Sequence, residues 1–133
     1  YRVLNQAAKS ALEFGRAWLV RTPLDLAAMN EVARLFIGDH DFAAFRSLGS
    51  EEKTTLRRVI VSEWRRDGNL LTYRIEATAF LRHMVRTLVA VMVEAGRGKL
   101  APADVIGLIE SRDRARAPAS APACGLYLME VRY

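Results

Sequence analysis

The sequence has 133 residues, 51% of them hydrophobic and 26% charged, enough apolar side chain for one buried core and too ordinary a charge content for a disordered chain. A net charge of +5 favours a polyanionic partner, nucleic acid or an acidic membrane surface, over an acidic-protein role. The single cysteine, Cys124, excludes an internal disulfide, and two histidines without companion cysteines argue against structural zinc. No stretch reaches the about 18 apolar residues of a membrane span and nothing at the start reads as a secretory leader, so a cytoplasmic, metal-free single domain over 1–133 is expected.

In chain order, Tyr1-Arg2-Val3-Leu4-Asn5 reads as a short strand that opens without lead-in, as in a fragment. Residues Gln6 to Arg21 stay open: Ala7, Ala8, Ala11 and Leu12 favour helix, whereas Trp18-Leu19-Val20 suits a strand. Thr22-Pro23-Leu24-Asp25 predicts a helix with Thr22 as N-cap and Pro23 at the first position. Leu26, Met29, Val32, Ala33 and Phe36 give that helix its apolar face, and Gly38 is placed to end it with a left-handed cap. Asp39-His40-Asp41-Phe42 is expected to restart a short helical turn with Phe42 and Phe45 inward. There Asp39 or Asp41 caps amides, and a metal or general-base role for His40 is the weaker reading. Ser47 to Lys53 reads as a polar connector.

From Leu56 the period becomes two, with Leu56, Ile60 and Trp64 on one face and Arg57, Val59, Val61, Glu63 and Arg65 on the other, neither cleanly apolar. Asp67-Gly68-Asn69 marks a hairpin turn, and the return strand puts Leu71, Tyr73, Ile75, Ala77 and Ala79 on the core face. A long helix is then expected from Phe80 toward Gly96-Arg97-Gly98-Lys99, with Thr78 as a candidate cap. Leu81, Val85, Leu88 and Met92 form one stripe; Ala79, His83, Arg86 and Ala90 form a stripe of small residues around an imidazole and a guanidinium. An arginine in such a groove either meets an anion or reaches solvent along its packed stem. Pro102 opens a shorter helix through Ile109, Arg112 and Arg114 are expected in solvent, residues 115–123 should cross the surface, and Leu126 to Tyr133 should form a last strand.

Several ordered pieces together carry a resemblance: Leu24-Asp25, Gly38-Asp39-His40-Asp41-Phe42, Phe80-Leu81-Arg82-His83-Met84-Val85-Arg86, Gly96-Arg97-Gly98-Lys99, Asp113-Arg114 and Ala121-Pro122-Ala123-Cys124-Gly125-Leu126-Tyr127-Leu128. The chain resembles the C-terminal half of the TruA-type tRNA pseudouridine synthases over essentially its whole length. The resemblance implies an α+β fold: a mainly antiparallel sheet with helices packed on one face, forming one wall of an RNA cleft. It implies isomerisation of uridine to pseudouridine in the tRNA anticodon arm without metal or organic cofactor, by a protein expected to be a homodimer. Arg86 matches the arginine that pairs with the family's catalytic aspartate, and Leu126 the leucine that packs on the target uracil. The family's Gly-Arg-Thr-Asp-Ala-Gly motif has no counterpart among these residues, and Tyr1 matches only the second tyrosine of the family's Tyr-Arg-Tyr strand.

The expected partners are therefore tRNA and an N-terminal catalytic half, and the chain alone is expected to be inactive. Arg86 would hold a carboxylate ionised, Leu126 and Tyr127 would supply a flat wall for the base, and Arg57, Arg58, Arg82, His83, Arg97 and Lys99 could meet phosphates. For Tyr127 a core-strand role, and for Arg97 and Lys99 a solvated helix end, remain alternatives. A non-catalytic RNA-binding module of the same fold, or a generic α+β protein with an incidental basic surface, are the other function classes. Sequence upstream of Tyr1 discriminates the first from the enzyme.

Overall fold

The computed structural model describes residues 1–8, 15–47, 49 and 52–132. Among these residues five strands, β1 (Arg2–Asn5), β2 (Trp18–Val20), β3 (Gly38–Asp41), β4 (Leu56–Asp67) and β5 (Leu70–Ala77), form one sheet in the order β2-β1-β5-β4-β3. Only β1 and β2 run parallel; every other pairing is antiparallel, as expected of an α+β domain. Three α-helices occur among the described residues, α1 (Leu26–Leu35), α2 (Met84–Gly96) and α3 (Pro102–Ser111). Ala11 and Leu12, cited for a helix, lie outside the described residues, as do Leu48, Ser50, Glu51 and Tyr133.

The Asp67-Gly68-Asn69 turn forms the expected hairpin, with Gly68 at φ 59°. The mixed character of the two β4 faces has a definite cause. Val59 pairs with Ala77 but Val61 pairs with Glu76, so one extra residue is accommodated near Ile60 and the side-chain alternation changes phase. Val59 before the bulge and Ser62 and Trp64 after it are buried, while Ile60 is 58% exposed. At the far end of β4, beyond its pairing with β3, no described strand covers its outer edge. There Asn30 of α1 takes the place of a strand, accepting from the Trp64 N–H at 2.8 Å and donating to the Trp64 carbonyl at 3.2 Å.

α2 is the central helix: of its residues only Arg86 and Glu94 escape burial. A helix apolar on nearly every side must be covered on nearly every side. The indole of Trp64 on the sheet donates to Met92 Sδ at 3.1 Å, and α1 crosses so closely that a Cβ on Gly96 would lie 2.8 Å from Met29 Cγ.

Several boundaries differ from the sequence expectation. α1 is capped by Asp25, whose carboxylate accepts from Ala28 N at 3.2 Å, not by Thr22. The entry moves because Leu24, just outside the cap, is buried with Met29 against Gly96, and the Asp25 N–H is held by the Gly96 carbonyl at 2.9 Å. Gly38 does have positive φ, 102°, but it begins β3 after the helix has ended at Leu35. Asp39, His40 and Asp41 are therefore strand, not a helical turn, because they pair with Leu56 to Arg58; polar residues suit such an edge. Phe42 and Phe45 are fully buried, as expected, around a 3₁₀ turn at Ala43–Phe45.

α2 starts at Met84 rather than Phe80. Arg82 has both backbone groups taken, its N–H by Glu52 Oε1 at 2.8 Å and its carbonyl by Ser47 N at 2.8 Å, and His83 sits in the left-handed region at φ 61°. Thr78 extends the hairpin, donating to Arg58 O at 3.0 Å, instead of capping the helix, and Ala79 is exposed. Ala79 and His83 thus leave the helical stripe that was to hold Arg86 and Ala90. The last strand is also absent: residues 126–132 pair with no neighbour, Leu128 and Met129 being 81% and 88% exposed. An alternating pattern forms a strand only beside a free edge, and the edges of this sheet, β2 and β3, do not receive it.

Candidate active site

The site is built where the first turn of α2 meets residues 117–127. Ala121 is clamped to Arg86 twice: its N–H donates to the Arg86 carbonyl at 2.9 Å, and its carbonyl accepts from Arg86 Nε at 2.7 Å. One turn of side chain further, Thr87 Oγ1 bonds Ser120 Oγ at 3.0 Å and donates to His83 O at 3.1 Å. Arg114, expected in solvent, turns inward instead, to Ala117 O at 3.3 Å and Ser120 Oγ at 3.5 Å, because the 3₁₀ turn capped by Asp113 carries it over the crossing. Arg112 remains on the surface but pairs with Asp41 at 3.3 Å.

The clamp uses only Nε. Among the described residues the terminal amino groups of the Arg86 guanidinium have no hydrogen-bond partner, which leaves a planar two-pronged donor beside the segment it holds. Close by is Tyr1, whose hydroxyl donates to the Pro122 carbonyl; burial raises its pKa and the charge of Arg86 pulls it back. Gly125 lies flat on this tyrosine, where an added Cβ would stand 2.7 Å from both the Arg2 carbonyl oxygen and Tyr1 Cε1. That close approach presents Leu126 and Tyr127, each 42% exposed, at the surface next to it. Tyr127 is not a core-strand residue: its hydroxyl donates to Arg16 O at 2.7 Å and the Arg2 guanidinium lies 5.9 Å from its ring centre.

The remaining sequence candidates divide among three places. Arg82 and His83 join Arg86 at the start of α2, and His83 has its pKa lowered by desolvation and by the charges of Arg86, Arg82 and Arg114. Arg97 and Lys99 lie past the opposite end of α2, about 16 Å along the helix from Arg86. There Arg97 is tied to Glu94 and to Thr22 Oγ1 at 3.0 Å. On β4, Arg58 pairs with Asp39 at 2.8 Å, which holds that carboxyl below its usual range, and Arg57 bonds the Thr54 and Leu56 carbonyls at 3.0 and 2.7 Å. His40 Nε2 donates to Ile37 O at 2.8 Å with both neighbouring aspartates engaged elsewhere, and no metal-holding cluster occurs among the described residues.

Sequence reasoning passed over Thr87, Ser120, the close approach of Gly125 to Tyr1 and the inward turn of Arg114. A threonine inside the otherwise apolar run of α2 was the available signal, since such a residue needs a partner to be fully buried.

Residues 32–133 match the family described as tRNA pseudouridine synthase. Among curated proteins, the tRNA pseudouridine synthase A of Pelobacter propionicus is 42% identical over the whole chain, which is 54% of that protein. The proteins of the same name from Acetivibrio thermocellus and Geobacter sulfurreducens are each 41% identical over the whole chain and 54% of their own length. The chain thus spans about half the length of the curated relatives it matches. Such identity across every element from β1 to residue 133, with the family match covering α2 and the segment it clamps, places this chain in the tRNA pseudouridine synthase family.

Proposed function

We propose that this chain is one wall of the active cleft of an enzyme that isomerises uridine to pseudouridine in the anticodon arm of tRNA. The observation that carries the reading is the open guanidinium of Arg86, fixed by Nε to Ala121 and beside the exposed pair Leu126 and Tyr127. The half of the relatives' length that the chain does not span is proposed to supply the aspartate. The reaction breaks the bond between the ribose C1′ and uracil N1, turns the base and joins C1′ to C5; C5 then gives up its proton and N1 takes one up, so that product and substrate are isomers. A carboxylate serves this chemistry only while ionised, and a guanidinium within hydrogen-bond reach both lowers its pKa and fixes its direction. The freed base needs a contact that holds its plane without fixing its rotation, and a leucine side chain backed by a tyrosine ring gives it.

The exposed Leu128, Met129 and Val131 fit the same reading, as a row that gains a neighbouring edge when the complementary half is present. The test is pseudouridine formation in a tRNA transcript, measured by mass spectrometry, for the full-length protein and for the 133-residue chain. Product from the former and none from the latter is expected. Turnover by the chain alone would overturn the divided site. Binding of tRNA by the full-length protein without product would replace the enzyme by a binding module.

A further inference from the structure

Away from the clamp, an open groove of about 600 Å³ runs between the connector before β4 and the end of α3. Its cations are Arg46, Lys53 and Arg112, and its floor is Thr54, Thr55, Ala43 and Leu56. Its acidic residues are Asp41 and Glu52, so three cations stand against two carboxylates, each of which accepts a hydrogen bond. Asp41 accepts from Thr55 Oγ1 at 2.6 Å and Ala43 N at 3.0 Å and pairs with Arg112, while Glu52 accepts the Arg82 N–H at 2.8 Å. Arg46 and Lys53 have no ion-pair partner among the described residues. Thr54 Oγ1 accepts from Leu56 N at 3.2 Å, which leaves its own proton to donate.

The groove is joined to the clamp from both sides. On one, Ser47 N and Glu52 hold the two backbone groups of Arg82, the residue before the His83 cap of α2. On the other, Arg112 leads through Asp113 to Arg114, which bonds the Ser120 hydroxyl that meets Thr87. The depressed His83 pKa, to which Arg82, Arg86 and Arg114 all contribute, agrees with cations converging there. An isolated small anion would need a closed pocket with convergent donors; cations spaced along an open channel suit a chain of phosphates.

We infer that the groove lined by Arg46, Lys53 and Arg112 carries backbone phosphates of the RNA strand that leads to the base held beside Arg86. The inference rests on the function proposed above and names a contact surface distinct from Arg57, Arg58, Arg97 and Lys99. These cations set affinity and register and do not touch the reacting atoms.

The experiment uses the full-length protein with Arg46→Gln, Lys53→Gln and Arg112→Gln combined, which shortens no stem to alanine and leaves the buried core untouched. Each phosphate contact contributes a slope of about 0.7–0.9 in log K against log salt, so the triple variant should lose a slope of about 2–3. Between 50 and 200 mM salt, wild-type affinity for tRNA should fall about 20–40-fold more than that of the variant. The single-turnover rate at saturating enzyme should not change. Arg65→Gln, at the other end of β4 about 30 Å from Leu56, should change the slope by less than any groove variant, and Arg46→Lys with Arg112→Lys should restore it. A triple variant with the wild-type slope and affinity overturns the inference while product formation leaves the proposed function standing. Absence of product and of tRNA binding in the wild-type protein would defeat both.

Discussion

Replacing Arg86 in the full-length protein separates its two connections. Arg86→Ala removes the half-buried bond from Nε to Ala121 O, 2.7 Å long, and leaves the backbone bond from Ala121 N to the Arg86 carbonyl at 2.9 Å. The segment therefore stays tethered, and the stability loss should be about 1–2 kcal/mol, the range of a hydrogen bond from a charged group with partial access to water. Losing the open end of the guanidinium beside a carboxylate should remove a further 2–4 kcal/mol, roughly, of transition-state stabilisation. At 1.36 kcal/mol per decade that is about 30- to 900-fold in the chemical step. Arg86→Lys should recover little, because one ammonium reaches either Ala121 O or the carboxylate, whereas the planar fork serves both. Single-turnover rates at saturating enzyme, set beside tRNA affinities and denaturation midpoints, check each part. A rate within a fewfold of wild type, with affinity weakened instead, would refute the catalytic assignment and make Arg86 a phosphate contact.

Gly125→Ala should cost about 1–3 kcal/mol in denaturant unfolding and slow turnover, since its Cβ would stand 2.7 Å from the Arg2 carbonyl, a backbone atom that cannot swing aside; unchanged stability would show that the Tyr1 packing is looser than described. Asn30→Ala should cost about 1–3 kcal/mol by stranding the Trp64 N–H and carbonyl, with Asn30→Asp intermediate because it keeps the acceptor and loses the donor. His83 should titrate, by NMR, below the ordinary histidine pKa of about 6.5. Because the folded ring gives up its proton at lower pH than the unfolded one, its contribution to stability is intact above about 6.5 and is lost as pH falls through the folded value. A folded pKa above that value would contradict the cationic surroundings drawn from Arg82, Arg86 and Arg114.

What could be read in the sequence was what local chemistry decides. The Asp67-Gly68-Asn69 turn demands a residue at positive φ, and Gly68 has it; Pro102 can stand at a helix start, and α3 begins there with Asp104 accepting from Ala101 N at 2.8 Å. Arg86 and Leu126 were singled out from their residue types and the family resemblance, and the fold does bring the segment before Leu126 onto the Arg86 turn. What escaped depends on partners distant in sequence. The bulge near Ile60 follows from the unequal fit of β4 to β5, β3 exists because Gly38 to Asp41 finds Leu56 to Val59, and the start of α2 is set by Ser47 and Glu52 holding Arg82. Periodicity along one segment carries none of that information.

The same dependence explains how the candidate wall is held, by α2 on one side and by Tyr1 and the start of β1 on the other. Residues 126–132 have a strand-like alternation, yet they join neither edge of the sheet, β2 nor β3, and the segment is fixed upstream instead, at Ala121, Ser120 and Gly125. Each of those anchors involves a small residue whose backbone or hydroxyl can approach α2 or Tyr1 closely, which fixes Leu126 within a few residues of Arg86's own hydrogen bond. In the proposed cleft, an arginine that both fastens the wall and meets the carboxylate would make wall position and guanidinium direction one variable rather than two. A carboxylate arriving from the complementary half would then meet a donor whose orientation is already set, the condition under which electrostatic stabilisation needs least reorganisation.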